Sequence, residues 1–464
     1  MRVRLAWCAL VLWVASVAVP SAGAQPLIVP LTGHRQRTIE AETLFHTLFD
    51  DFFVQPDGTT YVQTGDIPAM WLRDSASQAL PYIRFIPFFP ALRPLIAGVV
   101  EREARNILTD PYANAFMLDY HVWERKWEPD SLAWPILLAW VYERETGDRA
   151  IFTPALHRAL RVIVSTYECQ EHHPTCRAYR YPYRVPTRRT YDPETGLVWG
   201  AFRPSDDPVH YRFNIPQNAM VVIALEDLAI LARDGYGDVA LADRAQHLGE
   251  RIFLGIERYG IADAPGHGRI YAYETDGYGR ARLMDDANIP NLTALPYLDW
   301  CSAYDPLYLT TRAFVLSAAN PYYYSGIYAQ GLGSPHTPYG NVWPLGMIAR
   351  ALTATSAQEV AETVTELAQT DAENGLIHES FYADGYWRFT RADFGWANAL
   401  YAELLFRTLA GYPAVPFTPF GTAVPFEIPS QTPVLVRPVV QLENAGIVVR
   451  ALGDLLARRE RRER

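Results

Sequence analysis

The sequence predicts an all-α fold, an (α/α)6 barrel or toroid whose chemistry-bearing loops share one face. Two observations lead there. Apolar residues recur at helical spacing at 39–53, 92–108, 132–142, 156–167, 219–231, 239–254, 307–318, 342–352, 360–368 and 396–409, with little strand between them. Loops dense in Asp, Trp, His, Gly and Pro, at 64–78, 123–131, 199–218, 283–293, 331–343 and 375–398, each lead into such a helix. In a toroid of alternating outer and inner helices, loops of one kind emerge on the same face, so residues remote in sequence converge. A linear helical solenoid would show a fixed sequence period, and none is found. Short β-like stretches at 268–273 and 386–390 read as loop hairpins.

At the N-terminal end, Arg2 and Arg4, the apolar stretch from Leu5 to Val19 and the small residues Ala22-Gly23-Ala24 read as a secretory signal peptide over 1–24. An uncleaved anchor is the competing reading, but the run is short for a span of about 20 residues. A secreted or periplasmic protein without stable membrane insertion is therefore expected. The catalytic domain is assigned to 25–430, and a helical extension with a charged tail to 431–464.

Composition narrows the function. At 49% hydrophobic and 20% charged, the chain can bury a large core and is not a disordered polymer. A formal charge of −10, with Lys126 the sole lysine, argues against a nucleic-acid partner, which calls for clustered cations. Cys169 and Cys176 could close a small loop, leaving Cys301 free, or could join His172 and His173 in a metal cluster, although a second ligand pair is missing there.

The loops carry the chemistry. In Gly65-Asp66-Ile67-Pro68-Ala69-Met70-Trp71-Leu72-Arg73-Asp74-Ser75, carboxylates and a guanidinium stand beside an aromatic ring, a combination that grips vicinal hydroxyls while a sugar face stacks on the ring. Asp74 as a helix cap paired to Arg73 is the plainer reading. Ser205-Asp206-Asp207 and Asp285-Asp286-Ala287-Asn288 supply paired carboxylates, whose mutual repulsion raises a pKa as a proton donor requires. His336 lies in a Pro-flanked turn, and Glu379 stands between His378 and Ser380 ahead of Trp387, Arg391 and Trp396. No phosphate loop, serine elbow or paired-histidine zinc motif stands at a convincing position, so no cofactor and no metal are expected. Acid/base cleavage of a glycosidic bond suits these residues best.

Taken together, the run from Thr64 to Ser75 and the later blocks around 202–207, 284–288, 333–338 and 378–381 resemble, in order, glycoside hydrolase family 125, the exo-acting α-1,6-mannosidases. The resemblance spans about 35–411. It implies hydrolysis of terminal α-1,6-linked mannose from an oligosaccharide or glycan, with inversion and without a metal. It further implies Asp206 or Asp207 as general acid, Asp206 preferred, and Glu379 as general base. Asp66, Trp71, Arg73, Asp74, Asp285, Asp286, Asn288, His336 and Arg391 would hold the mannose, and a monomer is expected. The stretch 208–213 departs from the family's pattern and leaves the leaving-group preference open. A sugar-binding barrel without catalysis, and an epimerase or lyase driven by histidines on a related toroid, are the competing classes.

Overall fold

In the computed structural model, residues 43, 45–87, 89–181 and 190–409 are described, the last four by their backbone alone. The segments 1–24 and 431–464 lie outside the described residues, as do the ends of 25–430.

Ten α-helices build the described body: α1 (Leu72–Ile83), α2 (Leu92–Thr109), α3 (Asp130–Thr146), α4 (Pro154–Glu171), α5 (Ile215–Ile230), α6 (Val239–Tyr259), α7 (Pro306–Val315), α8 (Pro344–Leu352), α9 (Ala357–Gln369) and α10 (Gly395–Leu409). Burial sorts them into two layers. Every residue of α1 and α8 is buried, and α3 and α5 are buried along most of their length, as expected of inner helices. By contrast α6 buries one stripe only, with Leu241, Ala245, Leu248, Ile252 and Ile256 at helical spacing, as expected of an outer helix.

The inner helices pack side by side around most of a ring. Helix α1 packs on α3, α3 on α5, α8 on α10, and α10 returns to α1. Outside it, α2 packs on α4 and α6 on α5. The span Ile215–Gly235 is long and apolar enough to cross a membrane, but it is mostly buried as the ring's core helix. The fold is the (α/α)6 barrel that the sequence predicts.

Three expectations are corrected. The helix predicted at 39–53 stops earlier, in a wide turn at Thr47–Asp51, because Phe52–Val54 pairs antiparallel with Thr60–Val62. The loop predicted at 64–78 ends at Trp71, and Arg73 and Asp74 lie in the first turn of α1. After the loop at 283–293 the chain does not enter a helix directly but makes successive turns at 293–299, before the helix predicted at 307–318 forms as α7. Pro290 and Pro296 remove backbone donors there, and Asp299 adopts a left-handed φ of 66°, which a helix does not accommodate. The predicted hairpins are present, as Ile261–Ala264 with Gly268–Tyr271 and as Ser380–Tyr382 with Gly385–Thr390.

Short strands anchor the loops at the N-terminal ends of inner helices. Met70–Trp71, paired with Ala115–Phe116, leads into α1. Phe213–Asn214, paired with Glu274–Thr275, leads into α5, and Asn341–Val342, paired with Ser380–Tyr382, is followed by α8. Each mini-sheet fixes where a loop leaves the barrel, so the side chains preceding these helices gather on one face. Cys169 and Cys176 form a disulfide with a Cα–Cα distance of 5.2 Å, which removes the metal reading of that loop, while Cys301 is free.

Candidate active site

The site is organised around Arg73. Its guanidinium is buried and faces four carboxylates: Nη1 donates to Glu128 Oε2 at 2.7 Å and to Asp130 Oδ2 at 3.5 Å, Nη2 reaches Asp206 Oδ1 at 3.3 Å, and Nε lies 3.6 Å from Asp74 Oδ2. One cation cannot neutralise four buried anions, so protons must remain in the cluster. Burial pushes Glu128, Asp130 and Asp74 upward, with Arg73 opposing it. Asp206 moves the other way, below the usual carboxylate range. Burial would raise it, but a hydrogen bond with Glu128 and the charges of Arg73 and Lys126 outweigh that. Replacing Arg73 by Met should leave these acids facing one another without a counterion, at a cost of about 3–5 kcal/mol. Urea unfolding of the variant would measure it, and an unchanged midpoint would contradict the role.

Asp206 is aimed by its backbone. It has a φ of 63°, a left-handed conformation that aspartate tolerates better than most residues. Its N–H donates to Arg203 O at 2.9 Å, while Arg203 N donates to Asp207 O at 2.8 Å, closing a tight turn. That turn is pinned from below, because Arg203 Nε donates to Glu274 Oε1 at 2.7 Å and Glu274 Oε2 accepts the N–H groups of His210 and Tyr211. Asn114 Nδ2 also donates to Asp206 Oδ1 at 3.3 Å, and Lys126 Nζ lies 3.7 Å from Oδ2. Asp207 points elsewhere. It accepts from Ser205 Oγ at 3.0 Å and faces His336 Nδ1 at 3.7 Å.

His336 joins this acid side to Glu379. Its pKa is raised to about 9, first by its hydrogen bond to Asp207, then by the charges of Asp207, Asp206 and Glu379, against desolvation. A folded-state value above the unfolded 6.5 means that the stabilisation is fully present below about pH 6.5 and is lost as pH rises through about 9. We expect a proton NMR titration of the imidazole to show that upward shift, and Asp207→Asn to bring it down.

Glu379 is mostly buried. Desolvation raises its pKa, opposed by Arg391, a hydrogen bond from Thr390 and His336. Arg391, with a φ of 47°, turns its guanidinium back across the loops: Nε donates to Asp66 Oδ1 at 2.7 Å, Nη2 donates to Thr64 O, and Nη1 lies 3.9 Å from Glu379 Oε1. The loop carrying Asp66 is thereby locked to the one carrying Glu379. Gly65 makes that approach possible, since a Cβ there would sit 2.5 Å from Asp393 O. Thr64 Oγ1 donates to Asp74 Oδ1 at 2.6 Å, tying the same loop to α1.

The remaining predicted residues support the site from beneath. Trp71 is 8% exposed and packs with Ala69 and Ala115, so its ring floors the first loop rather than offering an open stacking face. Asp285 is fully buried, and its oxygens accept the N–H groups of Leu292 and Thr293 and the Thr293 hydroxyl. It therefore organises the turns after its loop. Asp286 Oδ1 accepts from Asn288, and its Oδ2 accepts from Ser334 Oγ, which in turn accepts the N–H of His336. These two residues set the His336 turn.

Glu128, Asp130, Lys126, Asn114 and Glu274 are parts of the site that the sequence reading did not single out. The first three belong to the loop at 123–131 already marked as site-forming, where Trp127-Glu128-Pro129-Asp130 puts two acids directly before an apolar helix. That juxtaposition was the available signal. Glu274 and Asn114 carried none. Among the described residues, His46, Asp51 and Asp393 stand close enough to share a cation, but both His46 nitrogens already face carboxylates, Asp50 at 3.0 Å and Asp393 at 2.7 Å.

Carboxyl groups and cationic side chains gathered where the loops of a helical barrel converge are the equipment of a glycoside hydrolase. Residues 35–406 match the family described as metal-independent α-mannosidases, GH125, and the chain belongs to that family. Among solved structures, it is similar to a Streptococcus pneumoniae protein from a family of metal-independent α-mannosidases, captured in a non-productive complex with α-1,6-mannobiose. The two share 35% identity and a TM-score of 0.78, over 81% of this chain and 94% of that one. The meiotically up-regulated gene 157 protein of Schizosaccharomyces pombe is 36% identical, covering 76% of this chain and 77% of its own. A bacterial glucoamylase solved with acarbose shares the fold alone, at 15% identity and a TM-score of 0.55, over 76% of this chain and 51% of that one.

Proposed function

We propose that this α-mannosidase is exo-acting on terminal α-1,6-linked mannose and inverts the anomeric centre, with Asp206 as general acid and Glu379 as general base. The observation that carries the assignment is the difference in setting of the two carboxyl groups. Asp206, itself held anionic by Arg73 and Lys126, touches a buried acid cluster whose other members, Glu128, Asp130 and Asp74, are pushed by burial towards protonation, whereas Glu379 lies beside Arg391 and His336, whose positive charges oppose the rise that burial imposes on it. An acid needs a proton to give and a base needs to have lost one. Asp66, Asp207, His336 and Arg391 are the polar groups placed to hold the mannose hydroxyls. Arg73, Asp74, Trp71, Asp285, Asp286 and Asn288 act through the loops they fix.

The α-1,6 preference draws support from the mannobiose held by the pneumococcal relative. We read the protein as a monomer exported to the periplasm or medium after removal of 1–24, acting on a mannose-containing glycan. A histidine-driven epimerase fits less well, because His336, paired with Asp207, is kept protonated and cannot take up a proton.

The linkage is tested by incubating the purified chain with α-1,6-, α-1,3- and α-1,2-linked mannobiose and quantifying free mannose. Release from the α-1,6 disaccharide should dominate. Comparable release from all three would remove the linkage assignment while leaving the mannosidase reading in place.

A further inference from the structure

We propose that Glu128 and Asp206 share one proton across a direct carboxyl–carboxylate hydrogen bond, and that Glu128 is the positioning residue which reloads Asp206 with the proton it gives to the leaving group. The proposal rests on the reading of Asp206 as the general acid.

The geometry behind it is an imbalance of donors. Glu128 is fully buried at the start of α3, and its Oε2 is satisfied twice, by Arg73 Nη1 at 2.7 Å and by Ser131 Oγ at 3.0 Å. Its Oε1 is buried with no N–H or O–H donor from the described residues. The group brought to it is another acid, Asp206, because the two carboxyl groups sit on neighbouring nitrogens of one guanidinium, Glu128 on Arg73 Nη1 at 2.7 Å and Asp206 on Nη2 at 3.3 Å. Two carboxylates in contact in a dry interior repel, whereas a single proton between them turns the contact into a strong charge-assisted hydrogen bond.

The surrounding charges decide where that proton rests. Asp206 has Arg73, Lys126 and Asn114 around it, and His336 adds positive charge from the next loop. Glu128 has Arg73 but also lies close to Asp130, whose charge disfavours its own ionisation, and Asp74 lies against the same guanidinium. The resting proton therefore belongs on Glu128, with Asp206 anionic beside it.

In turnover the Glu128 O–H bond breaks as one oxygen of Asp206 gains the proton. The Asp206 carboxyl group turns, and that same O–H then protonates the glycosidic oxygen while the C1–O bond breaks. Water adds to C1 and loses its proton to Glu379. The acid pair ends one proton short, Glu379 one proton over, and exchange with solvent restores both. An acid whose resting state is anionic needs such a donor behind it, and among the described residues Glu128 is the acid hydrogen-bonded to Asp206.

The test compares Glu128→Gln with Asp206→Asn on two substrates, α-1,6-mannobiose and a nitrophenyl α-mannoside whose leaving group needs little protonation. The Gln amide can still accept from Arg73 and donate to Asp206, but it holds no transferable proton. Glu128→Gln should lose mannobiose turnover on the order of a hundredfold. It should keep the nitrophenyl substrate within a few-fold and move the alkaline limb of the mannobiose pH profile to lower pH. Wild-type mannobiose turnover with an unmoved alkaline limb in Glu128→Gln, alongside a damaged Asp206→Asn, would overturn the proton-sharing proposal. An undamaged Asp206→Asn would overturn the acid assignment instead. Equal loss on both substrates in Glu128→Gln would mark a purely structural residue and also overturn the proposal. Should Glu128→Gln fail to fold, infrared difference spectra of the wild-type protein against Asp206→Asn decide the matter. A protonated-carboxyl stretch that shifts between the two supports the shared proton, and identical carboxyl regions contradict it.

Discussion

Glu379→Gln is expected to lower kcat on α-1,6-mannobiose by roughly 10³-fold, within the range of about 10²–10⁴ that a positioned general base supplies. The amide keeps the size and much of the hydrogen bonding of the glutamate, so the interactions with Arg391 and Thr390 survive in part while the ability to take a proton from water is lost. KM should stay within a few-fold, because the proposed site holds mannose through Asp66, Asp207, His336 and Arg391 rather than through the base. Burial raises the Glu379 pKa above the ordinary glutamate value, so wild-type activity should rise with pH through a limb displaced upward from that value. The check is steady-state kinetics on mannobiose across pH. A variant that kept more than a tenth of wild-type kcat would remove Glu379 from the chemistry.

Asp206→Asn is the second large effect, and its form is more telling than its size. The leaving group of mannobiose is the O6 hydroxyl of the second mannose, which needs the glycosidic oxygen protonated, so turnover should fall by about 10²–10⁴-fold. An aryl mannoside leaves as a stabilised phenolate and should be spared most of that loss. Asp207→Asn should behave differently. It breaks the pairing with His336 and with Ser205, so KM should rise for both substrates together. If Asp207→Asn showed the leaving-group-dependent loss and Asp206→Asn did not, the acid would be Asp207.

The helices were readable because their apolar periodicity is imposed by burial, and burial is what packs them around the ring. The turns that separate the loop at 283–293 from the helix predicted at 307–318 were not read, because their apolar residues are as buried as those of a helix. Pro290, Pro296 and the capping use of Asp285 were the contrary signals. Glu379, Asp206, His336 and Arg391 were legible as acids and cations set among aromatic and turn residues. Trp71 and Asp285 were given to the sugar because residue type reveals chemistry but not depth, and both lie under the loops. Glu128 was hidden for the complementary reason. With Asp130 two residues on, it hints at a site but reads equally as a helix start, and only the fold brings it against Arg73 and Asp206. Buried polar clusters of this kind depend on contacts far apart in the chain, which no local pattern records.

The most direct measurement is proton NMR of α-1,6-mannobiose during the first moments of hydrolysis by the purified enzyme, before mutarotation blurs the anomers. Direct attack by a water activated at Glu379, on the face opposite Asp206, predicts that β-mannose appears first and α-mannose grows in only as mutarotation proceeds. Initial release of α-mannose would mean that a covalent intermediate forms, and would contradict the assignment of Glu379 as a base acting on water.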